Sequence, residues 1–422
     1  MYLGRRPPVL AEEQGPSHGR EQRLPGRRVG RNVVFLGLTS LFTDVSSEMV
    51  NSVLPLYLTY ALRWSPLQFG LFDGIYQAMS ALLRGVGATI ADRRGRYKEV
   101  AAAGYTVSAV CKLGLLAAGN AWVASTAVLF TDRVGKGIRT APRDALISFS
   151  SRREDLAWVF GVHRALDTVG VMVGPFIAFV LLSMAPGAFD AVFVTSFCFA
   201  VIGLAMLILF VENRRPLEWA SPAVPVSFGS VFPLLGRGPF RSLVLAGSVL
   251  GLATVGDNLV FLTLQRRVDL RIGFFPLLFV ATASVYLVLA VPLGRLADRV
   301  GRVKVLLGGY ASLAGVYAVL LSPGTGLATV GICLALLGAY YAATDGVLMA
   351  IASSVVPLEL RSSGLALLTT VVACSRALAS VLFGAVWTWK GQSVALWWFL
   401  AGLVAALTAA FGLVRSHPAL RR

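Results

Sequence analysis

The sequence predicts an all-α integral membrane protein, with twelve transmembrane helices arranged as two pseudo-symmetric six-helix halves. Three observations carry this. Of the 422 residues 56% are hydrophobic and only 14% charged, and the mean hydropathy is +0.73, outside the range of a soluble domain of this size. Twelve runs of mainly apolar residues approach or exceed the roughly twenty needed to cross about 30 Å of hydrocarbon. One charged theme also occurs twice: Ala91 to Lys98 (ADRRGRYK) is echoed by Ala297 to Lys304 (ADRVGRVK), each copy between two hydrophobic runs. A repeated helix, basic loop, helix unit is the mark of a duplicated membrane protein.

The elements follow in order. Residues 1–31 contain Arg5, Arg6, Arg20, Arg23, Arg27, Arg28 and Arg31 and no apolar stretch of signal-peptide type, so they are expected to form a disordered basic cytoplasmic arm. The first half, 32–211, holds spans near Val33 to Ala61, Leu67 to Ile90, Val100 to Ala118, Trp122 to Phe149, Ala157 to Met184 and Ala188 to Val211. Residues 212–241, rich in Pro, Gly and Arg, read as a cytoplasmic linker. The second half, 242–414, holds spans near Leu243 to Leu264, Phe274 to Leu296, Val303 to Leu321, Leu327 to Val356, Ser363 to Trp387 and Val394 to Val414, and 415–422 is a cytoplasmic tail.

With the amino terminus inside, nearly all loop arginines and lysines are inside too. The outer loops keep little beyond Arg63, Arg266, Arg267, Arg271 and Lys390, so only one orientation satisfies the positive-inside rule. The net charge of +17 is therefore read as topogenic. It lies in short loops with no aromatic-interleaved basic domain, which argues against a nucleic-acid partner. Cys111, Cys198, Cys333 and Cys374 fall inside spans without metal-ligand spacing and read as packing residues. No metal and no cofactor is expected.

At the repeated loops the chain resembles the major facilitator superfamily of secondary transporters. Gly294, Asp298, Arg299, Gly301 and Arg302 fit its signature loop. The first copy has Asp92, Arg93, Gly95 and Arg96 in place, with Ala88 where the leading glycine is usual. Glycine permits the tight turn, while the acid can cap a helix and pair with an arginine, latching one conformation. In the fifth span Gly161, Gly170, Gly174 and Pro175 are similar to the glycine-proline motif of the superfamily's antiporters, although Ala178 and Phe179 replace its closing glycines. Phe42 to Met49 and Asp132 to Ile147 look like a bacterial branch whose substrates are largely unassigned. The resemblance implies the superfamily's fold, alternating access driven by protons, a monomer, and the bacterial cytoplasmic (inner) membrane with both termini cytoplasmic.

Mechanism is sought among ionisable residues inside the spans, each of which costs at least about 2.5 kcal/mol at mid-bilayer. Asp44 and Glu48 lie one turn apart in the first span and share a face with Asn51; two neighbouring acids suit a proton carrier. In the fourth span Arg133, Lys136, Arg139 and Arg143 form one cationic stripe, bordered by Asp132 and Asp144. The stripe can receive an anionic substrate or neutralise neighbouring acids. Apart from Asp190 at the very start of the sixth, the first six spans carry six acids (Asp44, Glu48, Asp73, Asp132, Asp144, Asp167) and seven bases (Arg84, Lys112, Arg133, Lys136, Arg139, Arg143, Arg164), a near balance that favours an ion-pair network. In the fifth span Asp167 can reach His163 or Arg164, and His163 is a candidate proton relay.

The second half is much poorer in charge, with Asp257, Asp345 and Arg376 away from the span ends. Asp345 parallels Asp144, and Asp257 parallels Glu48, so equivalent spans present acids to one central cavity. The remainder, with Phe261, Tyr286, Tyr340 and Tyr341, is expected as an adaptable apolar wall. The function expected is transport of a small molecule, with proton-coupled antiport in the efflux direction. Two other classes stay open: a facilitator or symporter of an anionic metabolite bound by the basic stripe, and a non-transporting membrane sensor. No nucleophile elbow or phosphate loop is present, since Gly135, Lys136 and Gly137 lack the preceding glycine loop, so an enzyme is not expected.

Overall fold

Apolar residues repeat almost without interruption through this chain, and the backbone answers with helices, the one way a single segment can satisfy its own hydrogen bonds in lipid. The computed structural model describes residues 30–76, 79, 96–119, 121–151, 155–213, 232–236, 238–357 and 360–415. The first half comprises α1 (Arg31–Leu56, continued by a π-turn at Tyr57–Ala61), α2 (66–76), α3 (Tyr97–Ala118), α4 (Trp122–Phe149), α5 (Leu156–Met184) and α6 (Phe189–Phe210). The second comprises α7 (Gly238–Leu252), α8 (Asp257–Val268), α9 (Phe275–Val300), α10 (Arg302–Leu321), α11 (Leu327–Val355), α12 (Arg361–Lys390) and α13 (Gln392–Arg415). No strand occurs among the described residues.

Among the described residues ten helical stretches are long and apolar enough to cross a membrane. The 28-residue α4 is not among them, because Asp132, Arg133, Lys136, Arg139, Arg143 and Asp144 interrupt its apolar run. The twelfth is α2, whose continuation lies outside the described residues. Large apolar side chains such as Leu209 and Val288 are 71% exposed on the outer faces, as lipid-facing residues are. Trp122, Trp389, Trp397 and Trp398 are exposed at helix ends remote from the basic loops, where an aromatic belt sits.

The halves repeat one packing plan. In the first, α1 packs on α5 and α6, and α3 on α4 and α6; in the second, α7 packs on α12 and α13, and α10 on α11 and α13. One departure from the expected spans concerns the seventh, read as continuous from Leu243 to Leu264. It is broken at residues 253–256, between α7 and α8. The freed backbone groups find a partner in Tyr317 of α10, whose hydroxyl donates to the Ala253 carbonyl (3.1 Å) and accepts from the Val255 N–H (2.8 Å). Gly256 ahead of α8 and the buried Tyr317 make the break tolerable at membrane depth.

The halves meet at the end remote from the basic loops. There the Leu67 N–H donates to Thr388 Oγ1 at 2.9 Å, and Phe179 of α5 lies 5.4 Å from Phe274 just before α9. Gly74 of α2 is pressed on the Ala377 backbone of α12, where an added Cβ would stand 2.5 Å from the carbonyl oxygen. This is a bundle closed at one end, with its polar interior toward the other.

Candidate functional site

The site is organised by α4, and α4 is placed by α3. At their crossing Gly104 and Gly135 face each other: a Cβ on Gly104 would lie 2.7 Å from the Gly135 carbonyl oxygen, and one on Gly135 2.8 Å from that of Gly104. On this back face Lys112 Nζ and Asp132 Oδ1 form a buried ion pair at 2.7 Å. Asp132 is thereby consumed, and the stripe of bases is left for the opposite side.

That side opens on three adjoining cavities. The largest, about 660 Å³, is lined by Asp44, Glu48, Arg133, Lys136, Arg139, Arg143, Asp144, His163, Arg164 and Asp167; the first-half residues singled out from sequence thus converge on one chamber. A central cavity of about 270 Å³ takes Glu48, Asn51, Asp73, Tyr76, Arg133 and Lys136 from the first half and Asp257, Asn258, Tyr341 and Arg376 from the second. A third, about 440 Å³, adds Asp345 and apolar side chains including Leu348, Met349 and Val372. Arg133 lines all three.

Within the large chamber the ion pairs are uneven. Arg143 holds Asp144 through Nε (3.0 Å) and Nη2 (2.9 Å), and its Nη1 donates to Ser40 Oγ (2.9 Å). Ser40 Oγ also lies 3.5 Å from His163 Nε2, which is 3.5 Å from Asp167 Oδ1. His163 is buried, and its Nδ1 has no partner among the described residues. Of the two side chains that Asp167 could reach along the helix, the structure brings the His163 ring near it. Arg164 is exposed and makes no ion pair among the described residues. Glu48 accepts from Asn51 Nδ2 at 3.0 Å, while Lys136 Nζ stands at 3.9 Å. Asp44 has no hydrogen bond or ion pair among the described residues, with Lys136 and Arg143 within Coulombic reach.

The expected ion-pair network is therefore incomplete, and aromatic faces account for part of the difference. Arg133 lies 3.7 Å from the Tyr76 ring centroid, Arg139 4.4 Å from that of Tyr105, and Arg376 5.9 Å from that of Tyr340, a placement that attracts a desolvated guanidinium. Arg133 Nη2 also donates to Tyr76 and, at 3.0 Å, to Asn51 Oδ1. The second half is not simply an apolar wall, which corrects the expectation from sequence. Tyr341 hydrogen-bonds Asp257, and Arg376 Nη2 donates to the Tyr340 hydroxyl at 2.7 Å. Phe261 belongs to the core, and Tyr286 is 37% exposed.

Asp73 was counted among the buried acids but not placed in the site, and the structure puts it at the junction of the halves. Its Oδ1 accepts from Asn258 Nδ2 (2.8 Å) and its Oδ2 from Ser380 Oγ (2.9 Å), both from the second half. Nothing in the local sequence signals these partners.

In the fifth-span motif, Gly170 and Gly174 lie against the stretch of α1 that carries the two acids. A Cβ on Gly170 would stand 2.8 Å from the Leu41 carbonyl oxygen, and one on Gly174 2.6 Å from that of Val45. Pro175 lies inside α5, whereas a Cβ on Gly161 would meet nothing within 4 Å. In the second signature loop Gly301 adopts φ +115°, which only glycine takes readily. Arg302 holds Asp298 Oδ1 through Nε (3.2 Å) and Nη2 (3.1 Å), and its Nη1 reaches the Ala350 carbonyl of α11 at 3.3 Å. Arg299 is exposed in the last turn of α9, and Gly294 has open space. In the first copy Arg96 precedes α3, while Asp92, Arg93 and Gly95 lie outside the described residues. Among the described residues no group of His, Cys, Asp and Glu could hold a metal ion.

Comparison with known proteins agrees with this architecture. The chain is similar to the nucleoside transporter NupG, with a TM-score of 0.78 at 12% identity over 90% of this chain and 98% of that one. It is also similar to a bacterial homologue of the human lysosomal transporter Spinster in an inward-facing and occupied conformation, with a TM-score of 0.71 at 15% identity over 94% and 99%. An uncharacterised MFS-type transporter of Methanocaldococcus jannaschii is 28% identical over 403 residues, 91% of this chain and 96% of the relative. An uncharacterised protein of Mycobacterium tuberculosis is 31% identical over 206 residues, 49% of this chain and 50% of the relative. The family model described as Major Facilitator Superfamily matches residues 36–276. More than half of the chain lies within that match, and the protein belongs to the major facilitator superfamily of membrane transporters.

Proposed function

We propose that this transporter couples the export of a small polar solute to proton entry, with Asp44 and Glu48 as the coupling acids. The observation that carries the reading is the state of this pair. Both acids face the large chamber one turn apart, yet Glu48 has only a distant cation in Lys136 at 3.9 Å and Asp44 has no ion pair among the described residues. A carboxylate held so loosely beside movable bases can exchange a proton and a cation as the surroundings change. When Asp44 and Glu48 are protonated, Lys136 and Arg143 lose a Coulombic partner, which biases the equilibrium between the two access states.

The exporter direction rests on the fifth-span motif. Gly170 and Gly174 let α5 seat directly on the acid-bearing stretch of α1, so a movement of α5 is felt at the acids. The orientation that goes with this reading has both termini in the cytoplasm of a bacterial cell and the closed end of the bundle outside.

The test is the pH inside proteoliposomes challenged with a pooled panel of organic cations, neutral drugs, organic anions and metal chelates. Wild type should show substrate-dependent proton movement opposite in sense to the solute, and Asp44→Asn/Glu48→Gln should abolish it. Proton movement that survives in the double variant would remove the coupling role. Proton and solute moving in the same sense would replace export with uptake by symport.

A further inference from the structure

We infer that Arg133 and Arg376 together form the recognition site for an oxyanionic group, a carboxylate or its equivalent, on the transported solute. This rests on reading the central cavity as a transport site and deepens it by naming a substrate class. The two guanidiniums come from opposite halves, Arg133 from α4 and Arg376 from α12, and both line the central cavity and its 440 Å³ neighbour. They are mounted alike. Each lies by a tyrosine ring, Tyr76 or Tyr340, and donates through Nη2 to that tyrosine's hydroxyl.

A tyrosine supports a guanidinium without neutralising it. Neither arginine makes an ion pair among the described residues, and the Nε of each is buried without an acceptor. The acids of the central cavity accept hydrogen bonds from other groups, Glu48 from Asn51, Asp73 from Asn258 and Ser380, Asp257 from Tyr341; Glu48 and Asp257 stay within Coulombic reach of Arg133 and Arg376 without touching them. Unpaired guanidinium charge in a low-dielectric cavity is costly to hold. It is also the state in which an arriving oxyanion gains most, because the planar fork matches two oxygens at once. A ligand held by both arginines joins the two halves, so its binding favours the occluded arrangement that alternating access requires. Asp345 is the one acid in the adjoining chamber without a partner among the described residues, and it lies within Coulombic reach of Arg376. It competes with the ligand.

The experiment is thermal stabilisation of the full chain in detergent by acetate, benzoate or sulfate at fixed ionic strength set with chloride. Tetramethylammonium chloride and glucose serve as cationic and neutral probes. At least one oxyanion should stabilise the wild type saturably. Arg133→Lys and Arg376→Lys, which keep the charge and the fold but lose the fork, should each weaken apparent affinity about tenfold. Asp345→Asn should tighten it severalfold, a gain that a merely structural arginine would not produce, and Lys390→Gln should leave it unchanged. The site is overturned if no oxyanion stabilises beyond chloride, if the lysine variants bind as wild type, or if only tetramethylammonium or glucose stabilises. The assay uses no proton gradient, so its failure leaves coupling at Asp44 and Glu48 standing, and loss of coupling leaves the oxyanion site standing.

Discussion

At the scale of single residues, the stripe on α4 could be read from sequence because its 3, 3, 4 spacing is a property of one helix. So could the facing of Asp44 and Glu48. What these side chains touch could not be read, since partners arrive from elsewhere in the chain. Asp132 borders the stripe in sequence, yet it turns to Lys112 on α3, and Arg133 settles on Tyr76 rather than on an acid. The Lys112–Asp132 pair gives the sharpest prediction here. Lys112→Met should destabilise by about 3–5 kcal/mol, because it leaves a buried carboxylate alone, whereas Lys112→Met/Asp132→Leu should recover most of the loss. Melting of the purified protein in detergent measures both. A double variant as unstable as the single one would show that the pair does more than neutralise itself.

At the scale of elements, hydropathy located the helices but not their interruptions. The break at residues 253–256 is marked locally only by Thr254, Gly256 and the polar Asp257 and Asn258 that follow, while the group that satisfies the freed backbone, Tyr317, lies sixty-odd residues away. Tyr317→Phe should cost about 1–3 kcal/mol through the unsatisfied backbone groups it leaves, and thermal melting tests this directly. The α5 glycines separate in the same way. Gly174→Ala forces a Cβ to within 2.6 Å of a carbonyl oxygen, which should cost about 1–3 kcal/mol and impair solute-driven proton movement. Gly161→Ala meets nothing within 4 Å and should be silent in both measurements. Equal effects of the two substitutions would dissociate the motif from the α1–α5 seat.

At the scale of the whole molecule, the repeated loop was enough to expect two like halves, and the packing of α1 and α3 on α4, α5 and α6 corresponds to that of α7 and α10 on α11, α12 and α13. The closure between them was not legible, because it is made by residues that no periodicity links, Asp73 with Asn258 and Ser380 above all. Asp73→Asn would weaken charge-assisted bonds worth about 1.5–3 kcal/mol, raising roughly tenfold or more the population that is open at the end closed in this structure. A cysteine placed at Thr254, in a background cleared of native cysteines, should then label correspondingly faster with an impermeant maleimide supplied at that end. An unchanged rate would mean that Asp73 does not hold the halves together. The charge on α4 has a further consequence, which concerns how the chain is made. Each ionised residue at the middle of a nascent helix opposes its release into lipid by about 2.5–3.5 kcal/mol, and α4 carries six. Lys112 of the preceding helix meets Asp132, and Gly104 meets Gly135, so entering lipid against α3 lowers that cost for α4.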